Sequence, residues 1–145
     1  MIYRLMTQQD DTDIPYLLSI YKLPNISCYI SIDEENYWPY VTMTENVYYY
    51  KVYKNSCLVA TIHCELQNRI LFMSIMVIPE HQKEGIGTKI LNDIQHGQLQ
   101  LDFDKIEVSI DETNVASIKL FEKMGFGYVS KDGELLEYVY LKRKK

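Results

Sequence analysis

The spacing of apolar residues changes several times along the chain, and each change marks an element. Ile2 to Met6 reads as a short first strand. Asp11, Thr12 and Asp13 offer helix N-caps and Pro15 suits a first turn, ahead of Ile14, Leu17, Leu18 and Tyr21 at helical spacing. Pro24 and Asn25 break that helix, and Ser31 with Glu34 at capping-box spacing predicts a second one that Pro39 disturbs. Three strand-like runs follow: Val47 to Lys54, Cys57 to Leu66 and Arg69 to Ile78. Asn55-Ser56 and Gln67-Asn68 are the predicted turns, so the runs read as an antiparallel meander. The third run, Ile70 to Val77, is almost continuously apolar, which predicts a central strand buried on both faces.

After the third run the period becomes helical, with Ile86, Ile90, Leu91 and Ile94 on one face and Gly97 near the end. Lys105 to Ile110 alternates as a strand. Asn114 can cap a helix carrying Val115, Ile118, Leu120 and Phe121, stopped by Gly125. Phe126 to Ser130 and Leu135 to Leu141 predict a closing hairpin around Lys131-Asp132-Gly133. No repeat or linker interrupts this order, which predicts a single mixed α/β domain over residues 1–145.

Composition narrows the function classes. The chain has 145 residues, 47% of them hydrophobic and 24% charged, enough for one domain with a real core. No apolar run approaches the ~20 residues of a membrane-spanning helix, and the start lacks a signal-peptide pattern, so a cytoplasmic protein with no membrane partner is expected. Cys28, Cys57 and Cys64 show no CxxC spacing; they read as small buried hydrophobes, with neither disulfide nor metal expected. His63 beside Cys64 does not change this, because adjacent strand residues face opposite ways. A net charge of −5 argues against nucleic acid and mildly favours a cationic substrate. The basic run Lys142-Arg143-Lys144-Lys145 reads as a solvated tail.

The chemistry concentrates at the junction from strand to glycine loop to helix, Val77 to Thr88. A helix start exposes N–H groups and a partial positive charge, which suits a pyrophosphate. Gly85 and Gly87 carry no Cβ and let phosphate oxygens approach, Thr88 adds a hydroxyl and Lys83 a charge. The GxxxxGK[ST] pattern is absent, and GxGxxG would need glycine where Ile90 stands. The loop alone is equally compatible with a tight turn into a helix.

Gln82-Lys83-Glu84-Gly85-Ile86-Gly87, after a strand ending Val77-Ile78-Pro79, resembles the acyl-CoA signature of the GNAT N-acetyltransferase superfamily. The segment Asn114 to Phe126 resembles that family's second conserved segment, in the right order and at the right distance. The resemblance implies a twisted, mostly antiparallel sheet of about seven strands with four helices, splayed between its fourth and fifth strands. It also implies an acetyl-CoA-dependent N-acetyltransferase acting on a primary amine of a small molecule or polypeptide, with no metal, as monomer or homodimer. Met76 and Val77 would bind the pantetheine, and the segment Gln82, Lys83, Glu84, Gly85, Ile86, Gly87 and Thr88 the pyrophosphate. Asn114, Ser117, Phe121 and Lys123 would line the remainder of the CoA site.

The sequence departs from the family where acid and base are needed. The second segment often carries a tyrosine that protonates the departing thiolate; here Phe121 stands there, and the fourth run has no glutamate. Substitutes are Glu65, His63, Tyr128, Tyr138 and Tyr140, with Glu65 and Tyr138 put forward as catalytic candidates, although thirteen tyrosines in a strand-rich chain mostly serve packing. Without such a group the chain reads instead as an acyl-CoA-binding regulatory module. Tyr37, Trp38 and Tyr40 are open between acceptor pocket, core and dimer surface.

Overall fold

The computed structural model describes residues 1–142. In chain order the elements are β1 (Ile2–Leu5), α1 (Ile14–Tyr21), α2 (Pro24–Ser27), α3 (Tyr37–Met43), β2 (Val47–Lys54), β3 (Cys57–Gln67) and β4 (Ile70–Val77). A 3-10 turn (Pro79–His81), α4 (Ile86–Gln95), β5 (Lys105–Asp111), α5 (Val115–Lys123), β6 (Gly127–Asp132) and β7 (Leu135–Leu141) complete it. One seven-stranded sheet carries the order β1-β2-β3-β4-β5-β7-β6. Its pairs are antiparallel except β4 with β5, which run parallel and are joined only at Ile70–Lys105, Leu71–Ile106 and Phe72–Glu107. Beyond Phe72 the two strands separate.

Helices cover both faces of the sheet. On one, α4 and α5 set Ile86, Ile90, Leu91, Ile94 and Phe121 against Ile62, Leu71, Ile106 and Val108. On the other, α1 to α3 set Leu17, Ile20, Ile26, Trp38 and Val41 against Tyr49, Leu58 and Met76. This cover is incomplete over β4. Leu71 and Met73 are buried, but Phe72 and Ser74 on the opposite face are exposed. The strand expected to be buried on both faces is therefore open at Phe72 and Ser74, with Met76 the buried residue of that face. Its apolar composition serves a surface opened by the splay.

Turn chemistry explains the meander. Asn55 and Ser56 both take positive φ, as do Asn68 and Arg69, the backbone of the two-residue hairpin turns that match strand twist. The second turn is thus Asn68-Arg69, one residue later than predicted, because Gln67 still pairs with Ile70. Arg69 is held there by Asp102 and Asp104, at 2.8 to 3.0 Å.

The N-terminal helices also differ from the sequence expectation. Pro24, expected as a breaker, does end α1 but opens the one-turn α2. Ser31 and Glu34 form no capping box. Asp33 orders the chain instead, accepting from the Glu35 N–H and Asn36 Nδ2, and α3 starts at Tyr37. Pro39 then lies in the first turn, where its missing N–H has no intrahelical partner to lose. There are five α-helices among the described residues, not four. Of the cysteines only Cys64 is buried; Cys28 and Cys57 are exposed, which corrects the reading of all three as core. No described helix is long and apolar enough to cross a membrane. Lys142 stands 5.1 Å from the Phe103 ring, and the rest of the predicted basic tail lies outside the described residues.

Asp13, at the N-cap of α1, makes no side-chain cap bond. Its carboxylate and that of Asp11 accept from Lys51 Nζ at 2.9 and 2.8 Å, and Tyr53 donates to Asp13 at 2.6 Å. Lys51 is only 8% exposed, so Lys51→Met leaves two largely covered carboxylates without their cation. We expect a loss of about 1–3 kcal/mol, reduced from the fully buried case because the carboxylates reach solvent. The Lys51 ammonium and then the Tyr53 hydroxyl hold the Asp13 carboxyl below its ordinary value. A depressed carboxyl contributes stability that is present above its unfolded value, about 3.9, and lost as pH falls through the folded value. Thermal unfolding from pH 7 to 3 should therefore show a steeper acid loss in the parent than in Lys51→Met.

Candidate functional site

The separation of β4 from β5 opens a cleft of about 750 Å³. One wall is β4 from Met73 to Val77, the other is Val108 to Asp111 with the start of α5, and α4 begins at one end. Strands that part in this way leave backbone N–H and C=O groups of Met73 to Val77 without strand partners on the cleft side, ready for a ligand's amides.

The loop into α4 is shaped for the same purpose. Gln82 Nε2 donates to the Val77 carbonyl at 3.2 Å, tying the loop to the strand end. Lys83 and Gly85 both adopt positive φ, and Gly85, the N-cap of α4, provides no side-chain cap. The first intrahelical bond comes from the Lys89 N–H to the Gly85 carbonyl at 3.1 Å. The N–H groups of Ile86, Gly87 and Thr88 precede it and therefore have no acceptor within the helix, an arrangement that suits an anion.

The two glycines do different work. A Cβ on Gly85 would meet nothing within 4 Å, so its constraint is the left-handed backbone alone. A Cβ on Gly87 would lie 2.7 Å from Leu120 Cδ2. Gly87 thus permits α4 to approach α5, a packing reason that the motif did not reveal. Across the cleft, Asn114 Oδ1 accepts from the Ser117 N–H at 3.3 Å and caps α5. Phe121 is 5% exposed and meets Phe126 edge to face at 5.0 Å.

Of the residues assigned from sequence, Met76, Val77, Gln82, Lys83, Gly85, Ile86, Gly87, Thr88, Asn114, Ser117 and Phe121 all line the cleft. Glu84 and Lys123 do not. Glu84 Oε1 turns to His81 Nδ1 at 3.2 Å, and Lys123 is exposed in the last turn of α5. Residues that the motifs missed also reach the cleft: Tyr29 and Ile30 after α2, Ser74 on β4, and Asp111 and Thr113 before α5. Only Asp111-x-Thr113 carried a local signal, an Asp turn in which Oδ1 accepts from the Thr113 N–H and hydroxyl. The Thr113 hydroxyl, then its N–H, holds the Asp111 carboxyl below its ordinary value.

The two catalytic candidates end up in different places. Tyr138 is 4% exposed, belongs to the core on the α4/α5 face, and donates to Glu122 Oε2 at 2.9 Å; it does not line the cleft. Burial, then Glu122, raises the pKa of its hydroxyl. Glu65 does not line the cleft either, but it belongs to a polar chain beside it. His63 Nε2 lies 2.9 Å from Glu65 Oε2, Tyr40 donates to Glu65 Oε1 at 2.7 Å, and Tyr37 Oη lies 2.9 Å from His63 Nδ1. His63 is the cross-strand partner of Ser74, which puts both side chains on one face of the sheet with Ser74 in the cleft. Burial raises the pKa of Tyr37, and the hydrogen bond to Glu65 does the same for Tyr40. Trp38 is core, ringed by Tyr21, Tyr37 and Tyr49; none of Tyr37, Trp38 and Tyr40 lines the cleft.

Comparisons with known proteins agree with this fold. The chain is similar in structure to a domain from Methanocaldococcus jannaschii, at 20% identity and TM-score 0.80, covering 97% of each chain. It is similar to the spermidine N-acetyltransferase of Vibrio cholerae, solved with CoA and spermine, at 17% identity and TM-score 0.78, covering 97% of this chain and 95% of that one. It also resembles the Campylobacter jejuni N-acetyltransferase PseH, solved with acetyl coenzyme A, at 13% identity and TM-score 0.77, covering 98% and 100%. No curated protein sequence matches the chain. The family model of the acetyltransferase (GNAT) family matches residues 14–126. That span covers most of the sheet, the cleft and both conserved segments, and the chain belongs to the GNAT family of acetyltransferases.

Proposed function

We propose that the protein acts as a single domain that binds acetyl-CoA in the cleft and transfers its acetyl group to a primary amine by direct attack. The observation that carries this reading is the uncapped start of α4 at one end of a strand separation. The N–H groups of Gly85 to Thr88 take the pyrophosphate, the backbone of Met76 and Val77 takes the pantetheine amides, and Asn114, Ser117 and Phe121 close the opposite side. Much of the rate comes from holding amine and thioester together, an effect worth up to ~7–11 kcal/mol.

The amine nitrogen bonds to the thioester carbon, the carbon–sulfur bond breaks, and CoA leaves as thiolate. The nitrogen gives up a proton, which we assign to Glu65 along the observed chain: water at Ser74 carries it to the Tyr37 hydroxyl, Tyr37 passes its own proton to His63 Nδ1, and Nε2–H passes one to Glu65. Phe121 has no proton to give, so the thiolate is protonated from solvent. The Vibrio cholerae relative is named for spermidine, and a cationic amine suits a chain of net charge −5; spermidine is the first acceptor to try. Phe121 also sustains a second reading, an acyl-CoA-binding regulatory module, for which binding without turnover on an amine panel would speak.

Thermal unfolding with acetyl-CoA, and with ATP and NAD as controls, tests the cofactor. At about 100 times its dissociation constant acetyl-CoA should add ~2.7 kcal/mol, several degrees for a chain of this size. A shift with ATP or NAD of equal size, or none with millimolar acetyl-CoA, overturns the assignment.

A further inference from the structure

A second line of polar side chains lies at the outer end of the cleft, apart from the acetyl-transfer chemistry. Cys57, the first residue of β3, is exposed, and its Sγ lies 3.5 Å from His81 Nε2. On the far side of the imidazole, Nδ1 lies 3.2 Å from Glu84 Oε1. Thiol and carboxylate take opposite ring nitrogens, so the three groups form a line and do not converge on one point. A metal site needs convergence; a thiol, its base and the group that orients the base need a line. With Nδ1–H donating to the carboxylate, Nε2 presents its lone pair to the thiol.

Three separate pieces of backbone assemble this line. The positive-φ turn at Asn55 and Ser56 delivers Cys57. The 3-10 turn Pro79–His81 fixes His81, whose N–H donates to the Ile78 carbonyl at 2.8 Å. Glu84 sits between Lys83 and Gly85, the two positive-φ residues of the anion loop. The other cysteines have different settings. Cys28 is exposed and its thiol has no hydrogen-bond partner among the described residues; Cys64 is buried, which pushes its thiol up to about 12.

We propose that Cys57 is a site of thiol–disulfide exchange with low-molecular-weight disulfides, and that its modification and acetyl-CoA binding oppose each other. In the step, His81 Nε2 takes the thiol proton and the Cys57 sulfur attacks one sulfur of the disulfide. A new Cys57–sulfur bond forms as the original sulfur–sulfur bond breaks, and the leaving thiolate collects the proton from His81. The opposition has a structural basis. His81 lines the cleft, and Glu84 belongs to the loop whose backbone starts α4. An adduct on Sγ occupies the space beside the ring and displaces it. Coupling of this kind is reciprocal at equilibrium, so acetyl-CoA must disfavour the Cys57 mixed disulfide by the factor by which the adduct weakens acetyl-CoA. This second half rests on the acetyl-CoA reading of the cleft; the reactivity of Cys57 does not.

The experiment is exchange with oxidised glutathione, followed site by site by peptide mass spectrometry, with Cys28 as internal reference. Cys57 is expected to react about ten-fold or more faster than Cys28, and His81→Gln to bring the two rates together, with Glu84→Gln between. Melting temperatures establish that each variant is folded. Equal rates at Cys57 and Cys28 in the parent protein, or a folded His81→Gln that keeps the full Cys57 rate, overturn the site. Acetyl-CoA, which carries no free thiol, is then added at a concentration shown by thermal shift to be saturating. At a fixed ratio of oxidised to reduced glutathione, a smaller equilibrium fraction of Cys57 adduct with unchanged Cys28 supports the coupling, and an unchanged Cys57 fraction overturns it. Absence of any thermal shift is a failure of the acetyl-CoA reading and leaves the comparison of rates standing on its own.

Discussion

Gly85→Trp is expected to weaken acetyl-CoA binding by about 100-fold or more, ~2.7 kcal/mol, in a protein that still folds. The proposed site for the pyrophosphate is the set of N–H groups at the start of α4, and Gly85 lines the cleft there. Its Cβ direction is open, with nothing within 4 Å, so an indole can be placed without entering the core, but it fills the volume that phosphate oxygens require. The cost to the fold is that of a non-glycine residue at positive φ, about 1–2 kcal/mol, against a total stability of about 5–15 kcal/mol. Gly87→Trp is the poorer experiment, since its Cβ already meets Leu120 and lost binding would be confounded with lost packing. Calorimetric titration of acetyl-CoA into folded Gly85→Trp decides the matter: parent-like affinity would remove the pyrophosphate from this loop.

Glu65→Gln is expected to lower kcat by about 10²-fold or more, the range of a lost proton acceptor, with acetyl-CoA affinity unchanged. The substitution keeps size and can still accept from Tyr40, so the effect isolates the charge. Steady-state rates with spermidine, or with the best amine of a panel, give the comparison, and thermal shift reports the binding. His63→Gln, which interrupts the path from Ser74 to Glu65, should fall in the same direction by a smaller factor. Full kcat in folded Glu65→Gln would leave water as the acceptor and the Tyr37–His63–Glu65–Tyr40 chain as a structural feature.

The contrast between these two predictions follows from how each site is encoded. The proposed anion loop is local: a strand, two positive-φ positions and a helix start lie within consecutive residues, so the cleft-lining positions of Gln82 to Gly87, all but Glu84, were legible in the motif. The proposed proton path is not local. It joins Tyr37 and Tyr40 of α3 to His63 and Glu65 of β3, and its link to the cleft is a cross-strand pairing with Ser74. Glu65 was nameable as a carboxylate without an evident partner, whereas Tyr138 was equally nameable and is core. Nothing in their neighbours along the chain distinguishes them. The same holds for the cysteines, whose small size suited a core reading until the hairpin turn brought Cys57 out beside His81.

By itself the sequence determined the strand meander, the helix starts at Gly85 and Asn114, and the family, because period, turn residues and caps act over a few neighbouring positions. Most of the residues it assigned to the cofactor line the cleft, since that cleft is built from backbone at element ends. Only the tertiary structure decided that β4 is open on one face, that Gly87 serves the contact with Leu120, that Glu84 and Lys123 turn away from the cleft, and which polar side chains meet beside it. Those outcomes depend on which strand faces and helices come together across the sheet, and burial and hydrogen bonding between distant residues leave no periodic mark in the chain.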